Sequence, residues 1–239
     1  GVKNYRVLSN WVDVRRFRPG NSPESERISQ PETQVFQDLA QSRHGGTSRA
    51  IPQRRDMRVV EKFAAAAGTR VVLFLHHLSK RKGADLVPEI AKAFGDDVLF
   101  LMIGDGPERE ALELGIKHYE LSNVKLLGQI PNFEIPKYFH AADIFLMPSR
   151  EEGSPHVLLE AMASGTPFVA SDVGGVRELV PKELEGFLCK SEDVECFRKT
   201  IKTLLSDNAL YDRARAACIN HSKNFDISHG ITEFIRLFK

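Results

Sequence analysis

The sequence predicts an α/β protein of the Rossmann-like class, with a doubly wound parallel sheet covered by helices. After Gly68, short runs of β-branched and aromatic residues alternate with amphipathic stretches of about ten residues, as in successive βαβ units. The chain has 239 residues, of which 42% are hydrophobic and 27% charged, as is ordinary for a globular protein. Sheets of this kind bind ligands at the carboxyl ends of their strands, so the loops that follow the strands are the places to look for function.

The predicted elements alternate along the chain. A short strand is predicted over residues 5–9, and the strands of the main sheet over 71–75, 98–103, 124–127, 144–147 and 168–170. Helices are predicted between them, over 84–94, 108–116, 133–141 and 155–164. Three terminal helices are predicted over 194–205, 209–223 and 228–238.

Composition limits the partners to consider. Positive and negative side chains nearly cancel, at a formal net charge of +1, so nothing calls for a nucleic acid. Cys189, Cys196 and Cys218 form no CxxC pair, which predicts reduced thiols rather than a zinc site or a disulfide framework. The sequence contains no run of about 18 apolar residues, so no membrane span is predicted. The chain begins at Gly1 without a signal-peptide pattern, so we expect a cytoplasmic protein and a fragment of something longer.

Residues 21–68 interrupt the α/β pattern. Proline, glycine and polar side chains replace the periodic apolar ones, which predicts a partly flexible insertion. Two interpretations of the arginines near its end stay open: a solvated loop, or peripheral contact with an anionic lipid surface at the cytoplasmic face of a membrane. These arginines are Arg43, Arg49, Arg54, Arg55 and Arg58.

The most informative segment spans residues 149–167, directly after the strand predicted at 144–147. Ser154 is a suitable N-cap, and Pro155 suits the first helical position, where its missing N–H costs nothing. The helix therefore opens with free amides and a positive dipole end, which predicts an anion site suited to a diphosphate.

Two glutamates flank this helix start. Glu160 lies in the apolar run of the helix, where it is equally suited to binding the vicinal diol of a sugar or to a structural ion pair. Glu152 lies in the preceding loop, and the pattern alone favours an exposed loop acid there.

The segment contains Glu152, seven intervening residues and Glu160, and it continues with Ala-Met-Ala, Gly165 and Pro167. This pattern resembles the signature of the family-4 retaining glycosyltransferases. Further matches follow the order of the carboxy-terminal lobe of that family and cover nearly the whole chain outside 21–68. They are residues 10–13 with Phe17 and Pro19, Lys82-Gly83, residues 104–107, Leu127-Gly128, Ala142-Asp143, Pro148-Ser149, Gly174-Gly175 and Phe225-Asp226. The chain thus resembles the donor-binding lobe of an enzyme with the two-lobed GT-B fold.

The resemblance implies a hexosyltransferase that moves a hexosyl unit from a UDP- or GDP-sugar to an acceptor, with retention of configuration. Glu152 and Lys82 would be the catalytic residues, with Glu152 on hydroxyls of the donor sugar and Lys82 on the diphosphate leaving group. Among three adjacent cations, Lys82 matches best because Gly83 follows it. The remaining donor-binding residues would be Glu160 on the ribose, with Gly153, Ser154, Pro155, His156, His77, Ile130, Pro131 and Gly104 around it.

The same resemblance divides the chain and names its partners. Residues 1–20 would be an initial strand and interlobe segment, 21–68 the insertion, 69–223 the nucleotide-sugar-binding domain, and 224–239 a C-terminal helix that packs on an N-terminal lobe. That absent lobe would bind the acceptor, a glycan, lipid or small molecule, so we expect the isolated chain to be inactive. No cofactor or metal is expected, since the chain has no Asp-x-Asp pair.

Two positions depart from the family pattern. The Gly-Arg pair that precedes the lysine reads His76-His77 here, so His77 is either a phosphate contact or part of the local structure. The Gly-Phe-Gly after the first glutamate reads Gly153-Ser154-Pro155.

Ile130 and Pro131 either pack on the nucleobase or form a plain turn. The alternative function is a non-catalytic nucleotide-sugar-binding module of the same fold. An epimerase or a phosphorylase fits the signature less well.

Overall fold

The computed structural model describes residues 12–19 and 68–228. The strand predicted at 5–9, nearly all of the predicted insertion with its arginines, and the predicted helix 228–238 beyond its first residue lie outside the described residues. Across the two described ranges, no helix combines the length and the apolar character needed to cross a bilayer.

Six parallel strands form one sheet in the order β3-β2-β1-β4-β5-β6. They are β1 (Arg70–Leu75), β2 (Val98–Ile103), β3 (Val124–Gly128), β4 (Ile144–Met147), β5 (Phe168–Ser171) and β6 (Leu188–Cys189). The strand order reverses between β1 and β4, and open α/β sheets bind ligands in the crevice at such a reversal. The predicted Rossmann-like parallel sheet is therefore confirmed.

Eight α-helices lie wholly within the described residues. They are α1 (Val14–Phe17), α2 (Leu86–Ala91), α3 (Arg109–His118), α4 (Ile135–Ala141), α5 (His156–Ala163), α6 (Val176–Leu179), α7 (Val194–Ser206) and α8 (Asn208–Ser222). Every residue of β2, β4 and β5 is buried. Because successive side chains of a strand point to opposite faces, helices must cover both sides of the sheet.

The structure differs from the predicted elements mainly at their ends. The helix predicted at 84–94 is α-helical only over Leu86–Ala91. The one predicted to begin at 133 begins at Ile135, after a 3₁₀ turn over Asn132–Glu134. Strand β6 was not predicted, because two residues are too few to show a period.

A disulfide joins Cys189 and Cys196, so the prediction of three reduced thiols is wrong. Cys189 ends β6 and Cys196 lies in the first turn of α7, and the connection folds back to bring their Cα atoms to 5.7 Å. The pair is seven positions apart, so a search for CxxC spacing could not find it. Cys218 is a free, buried thiol, and burial raises its pKa.

The segment 12–19 docks on the other end of the described chain. The amide of Val12 donates to the carbonyl of Phe225 at 2.8 Å, and the amide of Ile227 donates to the carbonyl of Val12 at 3.0 Å. Phe17 of α1 is buried edge-on against Phe139 of α4, with the ring centroids 6.0 Å apart. Helix α1 also lies beside α5.

Asp143 ties β1 to β4 at their amino ends. Its fully buried carboxylate accepts from the amide of Val71 at 2.6 Å and from Nη1 of Arg70 at 3.0 Å. Its own amide donates to the carbonyl of Val71 at 2.8 Å. The two strands on either side of the crevice are thus fixed to each other by a side chain as well as by their ladder.

We expect Asp143→Ala to lower the free energy of unfolding by about 2–4 kcal/mol, because a buried amide and a guanidinium both lose their acceptor. Urea unfolding measures the change. The control is Glu195→Ala, which removes a mostly exposed ion-pair partner of Arg198 and should change stability by less than about 0.5 kcal/mol. Equal losses in the two variants would contradict this role for Asp143.

Candidate functional site

Backbone contacts between loops build the carboxyl edge of the sheet. Gly83 has φ +68°, and a Cβ there would lie 1.9 Å from the carbonyl oxygen of Pro148, at the end of β4. Gly104, which follows β2, has φ +137°, and a Cβ there would lie 1.9 Å from the carbonyl oxygen of His76. Only glycine fits either position, so the loops after β1, β2 and β4 lock together through their main chains.

A second glycine contact fixes the loop that carries Glu152. Gly174 has φ +52°, and a Cβ there would lie 1.7 Å from the carbonyl oxygen of Glu152. The amide of Gly175 donates to the carbonyl of Gly153 at 3.0 Å. The Gly174-Gly175 pair therefore supports the backbone beneath the predicted sugar-contacting acid.

The carboxylate of Glu152 is the centre of the site, with 4% of its side chain exposed. Nζ of Lys82 donates to Oε2 at 2.8 Å, and Oγ of Ser149 donates to Oε1 at 2.7 Å. Nε2 of His76 lies 3.1 Å from Oε1. Burial raises the pKa of Glu152, but the contacts with His76, Lys82 and Ser149 outweigh it and lower the pKa to about 2. The group is therefore an anion at any physiological pH.

The structure selects Lys82 from the three adjacent cations. Lys80, Arg81 and Lys82 form a single 3₁₀ turn, and only Lys82 is buried. The turn ends at Gly83, whose left-handed conformation returns the chain toward α2. The predicted pair Lys82 and Glu152 is thus brought together from loops on either side of the strand reversal.

Arg150 clamps the same two loops from outside, a role that the sequence did not reveal. Nη1 and Nη2 contact the carboxylate of Asp85 at 2.7 and 2.9 Å, and Nε donates to Glu192 at 2.7 Å. Nη1 also contacts the carbonyl of Lys80, and the amide of Arg150 donates to the carbonyl of Arg81 at 2.9 Å. Hydrogen bonding to Asp85 is the largest of the influences that raise the pKa of Arg150.

The start of α5 lies one residue later than predicted. Pro155 is the N-cap, in an extended conformation with φ −73° and ψ 106°, and no side chain caps the helix. The prediction of Ser154 as the N-cap and Pro155 as the first helical residue is therefore wrong. The amides of His156 and Val157 still lack an intrahelical acceptor, as first-turn amides do. Gly153, Ser154 and His156 are exposed, so the helix start is open to a ligand.

Glu160 lies on α5 and is half-buried. Burial raises its pKa to about 7, and the positive charge of Arg16 opposes that rise. Arg16 in turn donates from Nη2 to Oδ1 of Asn132 at 3.0 Å and also contacts the carbonyl of Asn132. The loop after β3, which holds Ile130 and Pro131, therefore shares Arg16 with Glu160. Ile130 is half-buried and Pro131 exposed.

The adjacent histidines His76 and His77 lie in different surroundings. The ring of His77, the predicted phosphate contact, is exposed and lies against Gly106, where an added Cβ would meet its Cε1 at 2.8 Å. His76, which carried no predicted role, is the one that contacts Glu152. Gly104 lies in the loop after β2, against the carbonyl of His76.

Comparison with known proteins agrees with this architecture. The family model of the glycosyl transferases group 1 matches residues 58–225. The chain belongs to that family. A 2-deoxystreptamine glucosyltransferase of Streptomyces kanamyceticus is 35% identical over 147 residues, which are 59% of this chain and 38% of that protein. The chain spans about half the length, or less, of the curated relatives it matches.

Two solved structures establish the fold. HepE (Alr3699) of Anabaena, in complex with UDP and glucose, matches with a TM-score of 0.71 at 21% identity over 96% of this chain and 55% of that one. The C-terminal domain of the glycosyl transferase group 1 protein LpcC from Francisella tularensis matches with a TM-score of 0.65 at 21% identity. That match covers 89% of this chain and 97% of the domain. The described fold is the carboxy-terminal lobe of a GT-B glycosyltransferase, as predicted.

We expect Gly174→Ala to lower the free energy of unfolding by about 2 kcal/mol or more, because the added methyl group meets the carbonyl of Glu152 and the positive φ disfavours alanine. The matched control is Gly186→Ala, where a Cβ would meet no atom within 4 Å. Chemical denaturation compares the two. A Gly174 variant as stable as the Gly186 variant would show that the loop contact is not constraining.

We also expect a pH effect from Glu160. Because its folded-state pKa is raised from 4.5 to about 7, the folded protein holds this proton more tightly than the unfolded chain does. The wild type should therefore lose stability relative to Glu160→Gln as the pH rises from about 5 to about 8. Thermal unfolding of both proteins across this range measures the difference. A difference that does not change with pH would contradict the raised pKa.

Proposed function

We propose that this chain is the donor-binding lobe of a family-4 retaining glycosyltransferase, which transfers a hexosyl unit from a nucleoside-diphosphate sugar to an acceptor. The observation that carries the proposal is the 2.8 Å contact between Lys82 and Glu152 at the strand reversal, beside the open start of α5. A buried cation, a buried carboxylate and free amides at one edge suit the diphosphate and the hydroxyl groups of such a donor.

Lys82 would hold the diphosphate as it leaves. When the glycosidic bond breaks, its electron pair stays on the phosphate oxygen. An ammonium group placed there stabilises the negative charge that develops on the leaving diphosphate. The amides of Gly153, Ser154 and His156 would supply further donors at the positive end of α5, while Pro155 shapes the turn without an N–H. His77 and Gly104 would border the diphosphate from the neighbouring loops.

Glu152 and Glu160 would contact different hydroxyl groups of the donor. Glu152, anionic and fixed, suits hydroxyls of the transferred sugar, where its orientation matters for the reaction. Glu160 suits the ribose diol, because two hydroxyl donors would compensate a carboxylate that burial now disfavours. Ile130 and Pro131, in the loop linked to Glu160 through Arg16, would pack on the base.

Similar proteins support the class of donor. The HepE structure holds UDP and glucose, and the Streptomyces relative is named as a glucosyltransferase. Uridine diphosphate and its glucose ester are therefore the first ligands to test, with GDP and its sugars as the second set.

We propose that transfer needs no metal cofactor, since Lys82 and the amides at α5 can meet the charge of the leaving group. Within residues 12–19 and 68–228, no three His, Cys, Asp or Glu side chains are grouped as metal ligands. The acceptor, a glycan, lipid or small molecule, would bind a second lobe at the cytoplasmic side of the membrane or in the cytoplasm. The isolated lobe would then bind the donor without turning it over.

The alternative is a non-catalytic module that binds a nucleotide sugar through the same site. An assay of sugar transfer and donor hydrolysis after a second lobe is joined to this chain separates the two functions, because only the enzyme gains activity.

We expect calorimetry to detect binding of UDP, GDP or one of their sugars to the wild-type chain. Glu160→Ala should weaken that binding about tenfold or more, because the ribose loses its acceptor, whereas Glu178→Ala on the exposed face of α6 should change it less than about twofold. The site assignment fails if none of these ligands binds, or if the two variants behave alike.

A further inference from the structure

His76 contacts Glu152 without a role in the function proposed so far. It directly follows β1, and its Nε2 is buried 3.1 Å from Oε1 of Glu152. The distance suits a contact between charges, but the N–H is not aligned as in a hydrogen bond, and no other polar atom of the described residues satisfies this nitrogen. Nε2 of His76 therefore lies beside the carboxylate of Glu152 without an aligned hydrogen bond.

The fold holds this ring in place. The amide of His76 donates to the carbonyl of Ile103 at 3.1 Å, and Gly104 packs against its carbonyl oxygen. The ring lies 6.4 Å from that of Phe74, centroid to centroid, and 19% of the side chain is exposed. The backbone of His76 is therefore fixed by the pairing of β1 with β2, and this pairing places the ring beside Glu152.

His76 can supply the positive charge that Glu152 would lose if Lys82 moved to a ligand. In the ligand-free structure Lys82 neutralises Oε2 of Glu152. A diphosphate would draw Lys82 toward itself and leave a carboxylate that is 4% exposed without the ammonium group that now contacts Oε2. Ser149 still donates to Oε1, but its hydroxyl is neutral. Among the described side chains around Glu152, His76 is the remaining one that can carry a positive charge.

We propose that His76 is a positioning residue, which becomes the positively charged partner of the Glu152 carboxylate when Lys82 turns to the diphosphate of the donor. The imidazole then keeps Glu152 ionised and oriented toward the hydroxyls of the sugar. This inference rests on the proposed function of the site. Asp105, in the loop after β2, has other partners, because its carboxylate accepts from the amide of Gly106 at 2.8 Å and lies 3.9 Å from Nη1 of Arg109.

The first test needs no ligand, so it is independent of the proposed function. Lys82→Met imitates the departure of the lysine. At neutral pH, the ¹⁵N signals of the His76 ring should move toward those of an imidazolium in this variant and should return in Lys82→Met/Glu152→Gln. The spectrum of His76→Gln assigns the signals. Ring signals that are unchanged by Lys82→Met would overturn the proposal.

The second test compares UDP with UDP-glucose by calorimetry. His76→Ala should weaken UDP-glucose about tenfold and UDP by less than about twofold, because only the sugar depends on Glu152. His76→Gln, which keeps a donor but no charge, should restore part of the loss. The control is His118→Ala, at the exposed end of α3, which should bind both ligands as the wild type does.

A double-mutant cycle excludes a merely structural role. In a Glu152→Gln background, His76→Ala should cost nothing further, because the contact it serves is already gone. Equal losses for UDP and UDP-glucose, or a loss that persists in this background, would contradict the proposal. If the wild type binds neither ligand, the proposed function fails, and the ring signals alone decide whether His76 takes over Glu152.

Discussion

The contact between Lys82 and the buried carboxylate of Glu152 is the interaction on which the carboxyl edge of the sheet depends. The two side chains come from loops on opposite sides of the strand reversal, 70 positions apart. Removing one member of a buried pair typically costs about 3–5 kcal/mol, so the contact fixes both loops. In the function proposed above, a ligand that draws Lys82 away would have to offer more negative charge than Glu152 does, which favours a diphosphate over a neutral sugar.

The surroundings of this pair are built to resist movement. Gly83 and Gly174 allow main chains to meet where any side chain would intrude, and the Arg150 clamp holds the loop of Glu152 to the turn of Lys82 from outside. A site that its backbone already holds in position needs little reorganisation when a ligand binds. In the function proposed above, the ammonium group of Lys82 would turn to the diphosphate, and His76 lies beside the carboxylate that Lys82 would leave.

The sequence predicted what is periodic or local. Five of the six strands and the edge that carries the site follow from apolar runs, whereas the family resemblance gave Lys82 and Glu152 separate roles and did not predict their contact. Contacts between loops left no such trace. The Arg150 clamp and the Cys189–Cys196 disulfide arise from how loops fold back, and nothing in the spacing marks them. Which of His76 and His77 contacts Glu152 depends on the direction in which each side chain points after β1. Two identical adjacent residues do not reveal that direction.

A crystal structure of the chain with a bound UDP-sugar would show whether Lys82 leaves Glu152 for the donor. We expect the diphosphate beside Nζ of Lys82 and the ribose hydroxyls on Glu160, with the ion pair to Glu152 opened. A nucleotide bound elsewhere, for example in the 380 Å³ groove lined by Arg198, Lys199 and Lys202, with Lys82 still on Glu152, would contradict it.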